Sequence, residues 1–256
     1  MSTETVLLDA QHIVKRYGSV EALRGASFQA RAGEVTALIG DNGAGKSTLI
    51  KSLSGAERPT SGRILLEGEE VHFDSPTAAR RLGIETVYQD LAVAPDLDPA
   101  ANLFLGREIH RRGILGKLGM LDKAEMRRRA VEEFKRLGVT LQSTDVPIGS
   151  LSGGQRQSVA VARSVVWASK VVFMDEPTAA LGVVQRERVL NVIRRVRDEG
   201  IAVVLISHNM PEVLSVADRI EVLRLGTRVA RFVAAETKLE DLVAAMTGAL
   251  TQEEAA

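Results

Sequence analysis

Three short apolar runs, Val35–Ile39, Val171–Met174 and Ile201–Ile206, stand among longer stretches whose hydrophobic residues recur at helical spacing. The last two runs have no polar alternation, which predicts strands covered on both faces. Strands of this kind, alternating with amphipathic helices, predict an α/β fold with a mostly parallel sheet. The segment from Val6 to Ala30 is more mixed. It reads as an N-terminal antiparallel β part with turns near Gly18 and Gly25.

Helix starts are marked by capping chemistry. Ser75-Pro76 and Asp98-Pro99 each place a side-chain acceptor before a proline at the first helical position. Asp122 with Glu125 has the spacing of a capping box, for a helix through Leu137 that Gly138 ends. Val189, Ile193 and Val196 share one helix face, with Arg186, Arg188, Arg194, Arg195 and Arg197 on the wet side. From about Asp90 to Ala168 there are helix signals and no strand signal. This part reads as a helical lobe, residues 90–168, inserted into an α/β core of residues 1–89 and 169–256. The whole chain, 1–256, reads as one domain.

Composition narrows the choices. At 256 residues the chain is long enough to bury a sizeable core. Lys and Arg number 33, as do Asp and Glu, so no net positive charge argues for a nucleic-acid partner. The absence of cysteine excludes disulfides, cysteine-ligated zinc, iron–sulfur clusters and a thiol nucleophile. The longest apolar run, Ile201–Ile206, is six residues, where a membrane span needs about 20. The first residues lack the basic start and apolar stretch of a secretion signal. The expectation is a cytoplasmic protein that reaches a membrane only through partners.

Gly40-Asp41-Asn42-Gly43-Ala44-Gly45-Lys46-Ser47-Thr48 matches G-x-x-x-x-G-K-[ST]. It follows a predicted strand and opens a predicted helix, the setting this phosphate loop requires. Glycines let backbone N–H groups turn toward a phosphate, and the helix N-terminus adds a positive dipole end. Lys46 would neutralise the β- and γ-phosphates, and the Ser47 hydroxyl would ligate magnesium. A chance match arises in about one chain in a hundred of this length.

The run Val171–Met174 ends in Asp175-Glu176. Asp175 fits a role in the magnesium shell, and Glu176 fits a general base for attacking water. Acids are also common at solvated strand ends, so the phosphate loop is what gives this pair its meaning. Ser207-His208 follows Ile201–Ile206 at the end of a strand where α/β sheets bind ligands. His208 would contact the γ-phosphate and orient the water.

Leu151-Ser152-Gly153-Gly154-Gln155 precedes a further helix. Ser152 and Gln155 have capping-box spacing. Two glycines in a first turn, each costing up to about 1 kcal/mol, make sense if bare N–H groups must approach an anion. The chain therefore carries two anion-binding helix starts. One suits its own nucleotide, and the other a γ-phosphate held by a second copy.

Together these residues resemble the ATP-binding subunit of an ABC transporter, over Val6 to Thr247. Leu151–Gln155 is identical to the family signature LSGGQ. The resemblance implies adenine stacking on Tyr17, and magnesium sensing by Gln89 on a face toward the membrane subunit. It implies ATP and Mg2+ as ligands and a head-to-tail homodimer. Each nucleotide would lie between the phosphate loop of one copy and Ser152, Gly153, Gly154 and Gln155 of the other. It also implies partnership with membrane permease subunits, on the inner face of the membrane. The text from Phe73 to Glu108, ending Asn102-Leu103-Phe104-Leu105-Gly106-Arg107-Glu108, is similar to the ribose/xylose/fructose-type carbohydrate importers. Those work with a separate sugar-binding protein. A single cassette here would pair with itself. A non-sugar importer and a soluble non-transport member of the family are the alternatives.

Two positions depart from the pattern. Gly182 stands where many members carry aspartate, and Ala101 replaces a usual glutamate. The cluster Arg107, His110, Arg111, Arg112, Lys117 and the run Arg127–Arg129 read as solvated helix faces, diluted by Glu108, Asp122, Glu125, Glu132 and Glu133.

Overall fold

The computed structural model describes residues 5–87, 93–141, 143–179 and 181–250. In chain order its strands are β1 (Val6–Tyr17), β2 (Val20–Arg31), β3 (Val35–Ile39), β4 (Ser61–Leu66), β5 (Glu69–Glu70), β6 (Ile84–Val87), β7 (Val171–Asp175), β8 (Ala202–Ile206), β9 (Arg219–Arg224) and β10 (Thr227–Val233). Its α-helices are α1 (Lys46–Leu53), α2 (Pro76–Arg81), α3 (Pro99–Leu103), α4 (Ile114–Lys117), α5 (Lys123–Arg136), α6 (Gly153–Val165), α7 (Val183–Asp198), α8 (Met210–Val216) and α9 (Leu239–Thr247).

The chain divides into two compact units. The first comprises Met1–Val87, Ala168–Glu176 and Val196–Ala256. It contains an antiparallel sheet in the order β2-β1-β4-β5 and a six-stranded sheet in the order β10-β9-β3-β8-β7-β6. In the larger sheet only the edge pair β10–β9 is antiparallel. Every residue of β3 and β8 is buried, which is why these strands are apolar without alternation. Leu8, Phe28, Leu38, Leu49, Phe173 and Val204 belong to one hydrophobic cluster that draws on both sheets and α1. Ala37, Ile39, Val213, Val222 and Leu242 form another, which brings in α8 and α9.

Gly18 and Ser19 form the two-residue turn of the β1–β2 hairpin, where Tyr17 pairs with Val20. Gly25 is not a turn, contrary to the expectation above. It is the extra residue of a bulge within β2, between the pairs Ile13–Ala26 and Val14–Arg24, with φ +88°. The bulge turns Arg24 so that its N–H donates to Gly226 O, at 2.8 Å.

The second unit comprises Tyr88–Trp167 and Pro177–Arg195. The stretch 177–195, assigned above to the α/β core, belongs here. Its contacts explain why: Gln157 Nε2 of α6 donates to Pro177 O at 2.5 Å, and Arg195 Nη1 donates to Arg136 O at 3.0 Å. Each N-cap side chain accepts where its spacing predicts, but the capping box at Asp122 is not completed: the Glu125 carboxylate pairs with Arg128 and Arg129, and Asp122 N donates to Ile109 O at 2.7 Å. Asp98 accepts from Ala101 N at 2.7 Å, and Asp122 accepts from Glu125 N at 3.1 Å. In the first unit Ser75 does the same for Ala78 N at 3.2 Å. Gly138, with φ +70°, ends α5.

One buried charge in the first unit yields a test. Glu221 on β9 is 2 % exposed. Arg231 of β10 donates to it at 2.9 and 3.1 Å, and Arg228 lies 3.6 Å away. Burial pushes the Glu221 carboxyl above its usual range, against the pull of both arginines. Glu221→Ala removes the carboxylate that Arg231 bonds and is expected to cost about 2 kcal/mol. The urea unfolding midpoint measures this, and Glu221→Gln, which keeps an acceptor, should lose less. An unchanged midpoint in the alanine variant would show that the network is not structural.

Candidate active site

The phosphate loop leaves the C-terminal end of β3 and enters α1 directly. Gly40 sits at φ +152° and Gly45 at φ +104°. A Cβ at Gly40 would collide with the Leu223 carbonyl. One at Gly45 would come within 2.8 Å of the Ala22 carbonyl and 2.9 Å of the Leu23 side chain. These two glycines are therefore needed for packing against the strands behind the loop, as well as for backbone freedom. Gly45 is the N-cap of α1 and no side chain caps the helix. Its first amides are left available to an anion. Lys46 Nζ folds back over the loop, donating to Gly40 O at 2.7 Å and to Asp41 O at 3.0 Å. Burial pulls the Lys46 ammonium pKa below its ordinary value, while the charges of Glu176, Asp41 and Asp175 oppose that shift.

Both acids act on Lys46 because of an unusual backbone. Side chains of successive strand residues point to opposite faces. Asp175 is the last residue of β7, and Glu176 then adopts a left-handed conformation, φ +50°, with its N–H donating to Ile206 O at 2.9 Å. Such a conformation costs a non-glycine residue on the order of 1 kcal/mol. It breaks the alternation, so that neighbouring carboxylates serve one site. Burial, then the Glu176 charge, raises the Asp175 carboxyl above its usual range, with Lys46 opposing. His208, just beyond β8, places Nδ1 2.7 Å from Glu176 Oε1. A carboxylate only accepts, so Nδ1 carries the proton.

The strand order explains this convergence. β3, β8 and β7 are consecutive neighbours in the parallel sheet. Their C-terminal ends carry Gly40–Thr48, Ser207-His208 and Asp175-Glu176 respectively. Lys46, Asp175, Glu176 and His208, distant in sequence, thus meet along one edge.

Tyr17 closes β1, and its hydroxyl bonds to the Glu57 carboxylate and interacts with Thr48 of α1. Lys15 Nζ stands 5.1 Å from the ring centroid, over one face. The ring is exposed and belongs to the phosphate-loop neighbourhood, with Lys15 and Glu57 as partners. Gln89 lies outside the described residues.

In the second unit Ser152 is the N-cap of α6. Its Oγ accepts from Gln155 N at 3.3 Å, and its N–H donates to Gln155 Oε1 at 3.2 Å, a complete capping box. The two glycines differ. A Cβ at Gly154 would strike the side chain of Gln185 on α7, whereas Gly153 has open space. Gly154 therefore has a packing reason inside the chain to lack a side chain, in addition to any role of its N–H toward an anion, whereas Gly153 has no such packing reason. Gly182 immediately precedes α7, its carbonyl accepting from Arg186 N at 2.9 Å.

Magnesium fits the donor set of the first unit. The Ser47 hydroxyl is exposed and makes no hydrogen bond to a described residue, and Asp175 adds a carboxylate. Both are hard oxygen donors. The described residues contain no cluster of three acidic or histidine ligands that could hold a metal alone. Such a site must be completed by phosphate and water, as Mg2+ prefers.

A family profile described as ABC transporter matches residues 23–179. The chain belongs to the ABC transporter family. The fructose import ATP-binding protein FrcA of Rhizobium meliloti is 53% identical over 95% of this chain and 94% of its own length. The xylose/arabinose import ATP-binding protein XylG of Sulfolobus acidocaldarius is 44% identical over 94% of each chain. Among solved structures, the ADP conformation of an ATP-binding cassette of an ABC transporter superposes with TM-score 0.79 at 27% identity, over 94% of this chain and 95% of that one. For this ABC family chain the sequence reading missed Lys15, Glu57, Gln157, Gln185 and the backbone of Glu176. Glutamines, glutamates and lysines on helix and strand surfaces carry no local pattern, and their contacts arise only on folding.

Proposed function

We propose that this chain hydrolyses ATP as the nucleotide-binding subunit of an importer for fructose-, xylose- or ribose-type sugars. It works as a head-to-tail pair on a separate membrane permease, at the inner face of the membrane. Among the described residues no helix is long and apolar enough to cross a membrane. The permease must supply that path. The observation that carries this reading is the convergence of Lys46, Asp175, Glu176 and His208 at three adjacent strand ends, in a chain similar to FrcA along almost its full length.

The chain's own residues divide the work. Amides of residues 43–48 and the N-terminus of α1 bind the β- and γ-phosphates, and Lys46 exchanges its two carbonyl partners for phosphate oxygens. Tyr17 offers the face not covered by Lys15 to adenine. Ser47 and Asp175, with Gln89, hold Mg2+, which when bound neutralises charge on the transferring phosphoryl group. Glu176 takes a proton from the attacking water. His208 fixes the Glu176 carboxylate through Nδ1. Its Nε2 reaches a phosphate oxygen as a donor only when the ring is protonated. Ser152 and the Gly153 and Gly154 amides of the second copy close the site on the γ-phosphate. Closure favours the ATP-bound pair, and hydrolysis releases it, shifting the permease between orientations.

Reconstitution with its permease tests the substrate class. A binding protein loaded with fructose, xylose or ribose is expected to stimulate ATP hydrolysis in proteoliposomes. Stimulation by an amino-acid-loaded binding protein, with none by sugar, would overturn the assignment.

A further inference from the structure

The basic cluster around residue 110 has a shape that sequence alone concealed. Residues 109–122 form a closed finger in the second unit. Arg111 N donates to Met120 O at 2.9 Å, Asp122 N donates to Ile109 O at 2.7 Å, and His110 bridges Leu121. Gly113 and Gly119 turn the chain at φ +76° and +80°. Inside the finger, a Cβ at Gly116 would collide with the Arg111 carbonyl, so the tip is tightly folded. The one-turn helix α4 at that tip has no buried residue. Ile114 is 77 % exposed, Leu118 73 %, and Leu115 and Met120 44 % each. Four large apolar side chains on so short a segment form an unpartnered patch.

Charge says what covers it. Residues 109–121 contain Arg111, Arg112 and Lys117 and no acid. Among the described residues none of these three side chains makes an ion pair or hydrogen bond. The neighbouring acids, which appeared to dilute the cluster, are occupied. Asp122 caps α5, Glu125 pairs with Arg128 and Arg129 at 2.7 Å each, and Glu108 accepts from Gly106 N at 2.9 Å. A crevice of about 500 Å³ beside the finger is lined by Arg111, Arg112, Leu115 and Arg129 and by the committed acids Asp122 and Glu125.

We propose that this finger is an interfacial membrane contact. Ile114, Leu115, Leu118 and Met120 enter the headgroup–acyl boundary, and Arg111, Arg112 and Lys117 bind anionic phospholipid headgroups. An exposed apolar tip ringed by unpaired cations is the composition that an anionic bilayer surface selects. A protein groove of matched shape has no need of three uncompensated charges.

The test uses the full chain without nucleotide, so a negative result leaves the ATPase reading intact. Co-sedimentation is measured on vesicles of phosphatidylcholine alone and of phosphatidylcholine with phosphatidylglycerol. Three cations predict binding on the order of 100-fold tighter to the anionic vesicles, weakened by added salt. The triple variant Arg111→Ala, Arg112→Ala, Lys117→Ala should lose this preference. Ile114→Ser with Leu118→Ser should weaken binding roughly tenfold or more. These positions are exposed, and unchanged circular dichroism would show that the variants fold. Equal binding to both vesicle types, or a triple variant that binds like the parent, would overturn the proposal. So would a finger variant that loses its permease in detergent while the parent ignores lipid, since the patch would then be a protein contact.

Discussion

Replacing Glu176 by glutamine is expected to lower ATP turnover by at least about 100-fold while leaving nucleotide binding intact. The carboxamide keeps the size of the side chain and can still accept from His208 Nδ1, which now lies 2.7 Å from Oε1. It cannot accept a proton from water, and general-base catalysis contributes about 10²–10⁴-fold. The corresponding barrier increase is about 3 kcal/mol or more. Removing one of the three acids that act on Lys46 also relieves repulsion toward a triphosphate. The variant should therefore accumulate as an ATP-bound pair, seen as a shift in size-exclusion elution with ATP but not with ADP. Turnover within a few-fold of the parent would remove Glu176 from its assigned role.

Replacement of Lys46 by alanine is the second large effect. The ammonium is the one cation that the loop itself supplies to a phosphate, already held against the Gly40 and Asp41 carbonyls. A hydrogen bond to a charged partner contributes about 1.5–3 kcal/mol, so affinity should fall roughly 10- to 150-fold. The sharper measurement mixes two inactive variants. Lys46→Ala spoils the phosphate loop, and Ser152→Arg blocks the start of α6 with a bulky cation. In a two-fold symmetric pair each patch meets the other patch of its partner. A heterodimer of these variants then has one doubly damaged site and one intact site. Mixing equal amounts is expected to restore about a quarter of parental sites, since half the pairs are mixed. Activity that stays at the level of the separate variants would show that Ser152 does not serve the Lys46 site of a second copy.

Much of the site can be read locally. Gly40–Thr48 between an apolar run and a helix is interpretable because a phosphate loop is a short-range device, set by backbone freedom and one lysine. Asp175, Glu176 and His208 stand out as candidates because each lies at the end of an apolar run. The helix caps at Ser75, Asp98, Asp122 and Ser152 behave likewise, since an N-cap depends only on the next three residues. Other details were hidden. Gly25 reads equally well as a turn or a bulge until the partner strand is known. That Gly154 also lacks room for a side chain cannot be seen until Gln185 is placed against it. The acids near Arg111 seem to neutralise it until their bonds are traced.

The amino-acid sequence alone determined the fold class, the family, the starts of α2, α3, α5 and α6, and which side chains are candidates for the chemistry. These depend on neighbours within a few residues or on contiguous motifs. The tertiary structure decided which carboxylate His208 holds, how Glu176 joins Asp175 at one site, and which cations in residues 109–121 remain unpaired. The order β3-β8-β7 and the pairing of charges are set by burial between segments far apart in the chain. No local pattern records those long-range choices.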